Sequence, residues 1–264
     1  MTQLFKKTIP FLIAFAVTVP SAFGQSYDVT FTNEGNSDFF FTPLWFGLHD
    51  GSFDTFDAGA AASASLELLA EDGDVSGLVS DFASVTGGIG GVAANAAGFG
   101  GAPVIDPGES AVVTVSGLDA IANRYLSFAS MVIPSNDSFI GNANATAYEI
   151  FDGAGNFTGP VTIQIFANDI WDAGTEVNDT MGAPFSAVGG VATDEGGTIA
   201  LLPAGGLDNF AGTGIPTGGT IADLIAADQL VATITVTQSV PEPNGLAMIG
   251  FGAIALGAIR RRRK

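Results

Sequence analysis

Cysteine is absent from the 264 residues, histidine occurs once, and between the two ends of the chain there is a single basic side chain, Arg124. Without cysteine there is no disulfide-stapled mini-domain, zinc–thiolate site, iron–sulfur cluster or cysteine nucleophile. With one imidazole, a serine triad would have to use His49, and no G-x-S-x-G elbow accompanies it. The shortage of bases is sharper still. Residues 25–240 hold 26 acids against Arg124 alone, a net of −25. Such a body repels phosphate backbones, so nucleic acid is excluded as a partner, and it attracts cations. What is abundant is apolar material: 47% hydrophobic residues and 21 phenylalanines suffice for a substantial aromatic core.

The two ends read as addresses. Lys6 and Lys7 precede an apolar stretch over 9–19, and Ala22-Phe23-Gly24 supplies small residues at the −3 and −1 positions of a cut before Gln25. That apolar run is far short of the ~20 residues a bilayer needs, which favours a cleaved signal peptide over 1–24 rather than an anchor. At the other end stand Val240-Pro241-Glu242-Pro243, an uncharged stretch over 246–259, and Arg260-Arg261-Arg262-Arg263-Lys264. At ~1.5 Å per residue this stretch spans about 21 Å, thinner than a ~30 Å hydrocarbon core, so it suits transient insertion with the bases held inside. Motif, apolar run and basic tail in this order resemble the PEP-CTERM sorting signal of Gram-negative bacteria that make extracellular polysaccharide. The resemblance covers 240–264. It implies processing by an exosortase-type membrane protease and delivery to the cell surface or extracellular matrix.

Residues 25–239 between the signals read as one β-rich domain. Residues 27–32 (YDVTFT) alternate Tyr27, Val29 and Phe31 against Asp28, Thr30 and Thr32. Residues 111–115, 125–133, 161–166 and 231–237 are similarly rich in β-branched and aromatic side chains, with Gly, Pro, Asn and Asp between them. This pattern predicts an all-β fold, an antiparallel β-sandwich. The Gly/Ala tract over 85–103 reads as a loop with a helical turn at 92–97, and a second Gly-rich tract runs from Gly182 to Gly219. Helix is expected only over 60–70, stopped at Gly73, and over 221–230, both capping the ends of the sandwich.

Catalysis finds little support. His49 sits beside Trp45 and Phe46 at a strand end and reads as structural, while the Gly-rich tracts match no phosphate-cradling motif. A carboxylate-pair glycosidase stays open on composition alone. Calcium, which takes six to eight oxygens from carboxylates, carbonyls and water, suits an acidic exported chain. Two segments offer such oxygens. Pro134-Ser135-Asn136-Asp137-Ser138 ends one strand, and Asp172 and Glu176 flank a flexible Ala173-Gly174 after another. No EF-hand loop is present. Glu71, Asp72 and Asp74 read as a helix-terminating acidic turn, with a second ion site as the alternative; Asp50, Asp54 and Asp57 read as solvated, and Arg124 as paired with a nearby acid.

These same residues carry a second resemblance. The run from Ser130 to Gly141, with its Pro-Ser-x-Asp, and Trp171-Asp172-Ala173-Gly174-Thr175-Glu176 resemble the paired motifs of the spondin domain. Phe41-Thr42-Pro43, Leu48-His49-Asp50 and the stretch from Leu66 to Gly73 fit its bacterial form. The likeness runs over about 27–238. It implies a β-sandwich related to calcium-binding lipid-recognition modules, with one Ca2+ held by Asp137, Asp172 and Glu176. Departures exist: Ser138 stands where animal members commonly carry tryptophan, Glu176 where they carry aspartate, and their cysteines are missing. The expectation is therefore a calcium-binding surface or matrix protein in adhesion or biofilm assembly, without catalysis, meeting extracellular polysaccharide or cell-surface components. The alternative is an extracellular polysaccharide-acting hydrolase.

Overall fold

The structure, a computed structural model, describes residues 25–94 and 102–239. Its strands are β1 (Ser26–Asn33), β2 (Phe40–Phe41), β3 (Leu44–His49), β4 (Ile89–Ala93), β5 (Ser110–Ser116), β6 (Tyr125–Ile133), β7 (Ser138–Gly141), β8 (Val161–Phe166), β9 (Ile170–Asp172), β10 (Ala200–Leu201) and β11 (Leu230–Ser239). One sheet has the order β5-β1-β11-β8; the other runs β10-β9-β7-β6-β3-β4, with β2 also paired to β6. Every pairing is antiparallel, and the first long strand is closed by the last, Ser26 opposite Ser239 through Asn33 opposite Ala232. The fold is the all-β sandwich that the alternating segments predict.

The register follows from the side chains. Along β1, Tyr27, Val29 and Phe31 turn inward and meet Ile234 and Val236 of β11, Leu44, Phe46 and Leu48 of β3, and Leu126 and Phe128 of β6 in one core. Strand β3 is buried at every position, so the larger sheet is apolar on both faces. Its outer face is covered by α1 (Ala64–Asp72) and α2 (Ser76–Phe82), whose Leu66, Leu69, Leu78 and Phe82 pack with Trp45, Ala129 and Phe139. The helices therefore cover a sheet face instead of capping the ends of the sandwich. The cause is the outward apolar row on β3, β6 and β7, which has to be covered from water.

Local chemistry sets the helix ends. Ser63 Oγ accepts from Leu66 N at 3.2 Å, and Gly73 stops α1 in the left-handed region at φ 68. A Cβ on Gly73 would stand 2.4 Å from Thr42 Cγ2, so the predicted stop is enforced by packing as well as by backbone angle. The expected helix over 221–230 is absent, and the second helix is Ser76–Phe82. Side chains tie the 221–230 backbone down elsewhere: Asp38 Oδ2 accepts from Ala222 N and Asp223 N, both at 2.8 Å, and Gln229 Oε1 accepts from Ala226 N at 2.7 Å. Ile221, fully buried, anchors the start of that loop in the core.

Part of the 85–103 tract is also a strand rather than a loop, since Ile89–Ala93 pairs with β3. Val92 and Ala93 thus do not begin a helical turn, and 95–97 fall outside the described residues. Glycine suits these positions because neighbouring groups occupy the side-chain space at Gly91 and crowd it at Gly90. A Cβ on Gly91 would lie 2.5 Å from Phe46 Cζ, and one on Gly90 3.1 Å from Phe82 Cδ1. The 1–24 and 246–259 readings likewise lie outside the described residues. Among the described residues no helix is long and apolar enough to cross a membrane.

Candidate metal centre

Strand β6 ends at Ile133, the Ile133–Pro134 peptide is cis, and the chain turns back into β7 within four residues, 134–137. Ser135 Oγ closes the turn, donating to Val132 O at 2.5 Å and accepting from Ser138 N at 3.1 Å. Ser138 then pairs with Asp172 of β9, and Ala173 N donates to Asp137 O at 3.2 Å. Sheet pairing thus brings the two segments singled out in the sequence side by side.

Asp137 is fully buried. Its Oδ2 accepts three hydrogen bonds from the neighbouring segment: Thr175 N at 2.8 Å, Glu176 N at 3.1 Å and Thr175 Oγ1 at 3.2 Å. Its Oδ1 is buried with no hydrogen-bond partner, and so are Asn136 Oδ1 and Ser138 Oγ on either side. Buried oxygens without partners are uncommon in native folds, because each loses its hydration without replacement. Gly174 allows the close approach of the facing loop. It sits at φ 68, and a Cβ there would lie 2.6 Å from Thr198 N.

The charges around Asp137 repel one another. Burial pushes its carboxyl up to about 6, with the Asp172 charge adding to the rise and the three donated hydrogen bonds opposing it. Burial also pushes Glu176 up to about 7, helped by the charges of Glu71, Asp137, Asp194 and Asp72. Glu71, at the end of α1, is raised by burial against the pull of the Thr175 hydroxyl. Asp194 is thus a member of the constellation that sequence spacing missed, and Glu71, which the sequence offered only as part of a separate acidic group, joins it here. Asp194 arrives through a bridge with Glu176, and Glu71 comes from more than a hundred residues upstream. Nothing local in either segment marks it. Asp74, grouped with Glu71 and Asp72 in the sequence, instead accepts from Ser76 N at 2.8 Å and forms the acidic turn after the helix.

The structure brings Asp137 into contact with the Thr175–Glu176 backbone but directs the Asp172 side chain elsewhere. Asp172 Oδ1 accepts from Gly174 N at 2.7 Å, and its Oδ2 accepts from Asn178 Nδ2. Among the described residues no three or more acidic or histidine side chains form a ready-made metal-holding group. The donor chemistry is nonetheless all oxygen, the ligand type that hard divalent cations take, and Asp137 Oδ1 has a lone pair that no protein group present uses.

His49 presents the opposite situation. It is fully buried; its Nδ1 accepts from Gly51 N at 3.0 Å, which places the neutral ring's proton on Nε2, 2.9 Å from Ser127 Oγ. In that tautomer the imidazole donates to the serine and cannot take its proton, and burial lowers the imidazole pKa. Arg124 pairs with Glu149, Nε to Oε1 at 2.8 Å, as the sequence suggests.

Residues 239–263 match the PEP-CTERM protein-sorting motif, the signal recognised by exosortase, which implies export to the cell surface or the extracellular space. No curated protein matches the chain in sequence.

Proposed function

We propose that this exported chain is a spondin-like surface or matrix protein that binds one calcium ion through Asp137, Asp172 and Glu176 and serves adhesion or biofilm assembly without catalysis. Its apolar 246–259 segment inserts transiently in the inner membrane of a Gram-negative cell until exosortase-type processing, and extracellular polysaccharide or cell-surface components are its partners outside. The observation that carries the calcium reading is Asp137 Oδ1, an ionisable oxygen wholly out of water, without a hydrogen-bond partner, beside a half-buried Glu176. A divalent cation would supply the missing partner and offset the mutual repulsion of Asp137, Glu176 and Glu71. Binding would require the Asp172 carboxylate to leave Asn178.

The ion's role is to hold the β6–β7 turn, the segment after β9 and the end of α1 together against a net charge of −25 over residues 25–240. A ligand at 100 times its dissociation constant adds about 2.7 kcal/mol, or roughly 5–10 °C in melting temperature for a domain of this size. Thermal melting and calorimetry of the purified protein with calcium and then with chelator test the reading. A calcium-induced rise that chelator reverses is expected. Identical melts without calcium-binding heat would exclude the site.

A further inference from the structure

We infer that a second site lies at the start of β9, where a partly enclosed apolar pocket takes a small alkyl or aryl ammonium ion. The pocket has a volume of about 300 Å³ and lies between the turn that opens β9, the 203–207 turn after β10, and the loop at 225–228. Its walls include Ile170, Leu202, Leu207 and Ile225, and the first three are buried members of the main core. Its volume is about twice the ~150 Å³ of a dry engineered cavity that holds benzene, which suits a group of roughly six to eight carbons.

Only two of the lining side chains end in polar groups, Asn168 and Asp228, and Asp228 is the only charged one. Asp228 holds φ 59, one of two non-glycine residues at positive φ among the described residues. It occupies a tight turn in which Gln229 N donates to Ala226 O at 3.2 Å. Aspartate is among the residues that adopt this backbone region, and Asp228 stands exposed at the rim of the pocket, where its carboxylate can meet a head group while the alkyl part is buried. Among the described residues no basic side chain is free to neutralise it, because Arg124 is the only one there and is bonded to Glu149. Charge complementarity therefore selects the head group. A cation gains from Asp228 and from the field of the whole body, a neutral alcohol gains only burial, and a carboxylate is repelled by both.

The test is a titration of the purified full chain with hexylammonium chloride, 1-hexanol and sodium hexanoate, followed by calorimetry and by amide shifts of Ile170, Leu207 and Ile225. Hexylammonium is expected to bind at least tenfold more tightly than hexanol, with hexanoate weakest, and chelator is expected to leave that order unchanged. Asp228→Asn should bring hexylammonium down to the hexanol level. Ala204→Trp, at an exposed lining position, should block hexylammonium and hexanol while leaving the melt unaltered. Equal affinities for the three compounds, no binding at millimolar concentrations, or full binding by Ala204→Trp would each overturn the assignment. None of these outcomes depends on whether calcium binds at Asp137, which lies beyond the other end of β9.

Discussion

Two fully buried polar clusters sit at opposite ends of β6, and they solve the same physical problem differently. Near its start, His49, Ser127, Asn142 and Asn123 exchange hydrogen bonds among themselves and with backbone. Asn142 Nδ2 donates to Ser127 Oγ at 3.3 Å, Phe128 N donates to Asn142 Oδ1 at 2.9 Å, and Asn123 Nδ2 donates to Leu48 O at 3.0 Å. None of their side-chain atoms is left without a partner. Just past the end of β6, the Ser135–Ser138 turn is as deeply buried yet leaves three oxygens unpaired, one of them on a carboxylate. A closed network fixes strands in register and has no valence to spare. An open one keeps oxygens that can still take a partner. The cluster that resembles a catalytic pair in composition is thus the one whose hydrogen bonds are all satisfied, and the turn without an imidazole is the candidate site.

The largest expected effect comes from breaking the closed network. Asn142→Ala strands Phe128 N–H and removes a donor to Ser127, so it should cost about 2–3 kcal/mol in a denaturant titration, equally with and without calcium. Asp137→Asn should behave in the opposite way. Asparagine keeps an oxygen for the donors at Thr175 and Glu176, so the metal-free melt at pH 8 should hold or rise. The calcium-induced gain, about 2.7 kcal/mol at 100 times the dissociation constant, should vanish. If Asn142→Ala proves calcium-dependent and Asp137→Asn does not, the contrast between the clusters is wrong.

A pH series sharpens the same contrast with a smaller effect. Asp137 and Glu176 titrate at about 6 and about 7 in the fold, above their ordinary 3.8 and 4.5, so between these limits the folded chain holds more protons than the unfolded one. Their stabilising share is full below the ordinary values and is lost as pH rises through the folded ones. Metal-free protein should therefore melt progressively lower from about pH 4 to about pH 8, and saturating calcium should flatten that fall. The smallest effect is expected at Ser63→Ala, which removes the cap of α1 and should cost about 1 kcal/mol irrespective of calcium. A larger loss in the calcium-bound state would show that α1, through Glu71, is coupled to the ion.

Much of the fold was legible because strand alternation is a local property. The 125–133 and 161–166 stretches coincide with β6 and β8, and 27–32 and 231–237 lie within β1 and β11. Local pattern failed where neighbours decide. Gly90 and Gly91 look like loop until the rings of Phe46 and Phe82 fill their side-chain space, and 221–230 has helical composition until Asp38 and Gln229 claim its amides. For the site, the Pro-Ser-Asn-Asp and Asp-Ala-Gly-Thr-Glu segments stood out as oxygen-rich turns, and their adjacency came from β7–β9 pairing.

By itself, the sequence determined the charge of the body, the sandwich class, the sorting motif at the C-terminus and the oxygen chemistry of the candidate ligands. These depend only on which residues are present and on their order over short spans. Tertiary structure decided which carboxylates share a field, which buried oxygens go without a partner and which polar residues satisfy one another. Desolvation and hydrogen-bond geometry depend on distances between segments far apart in the chain, such as Glu71, Asp137 and Glu176, and no local pattern encodes those distances.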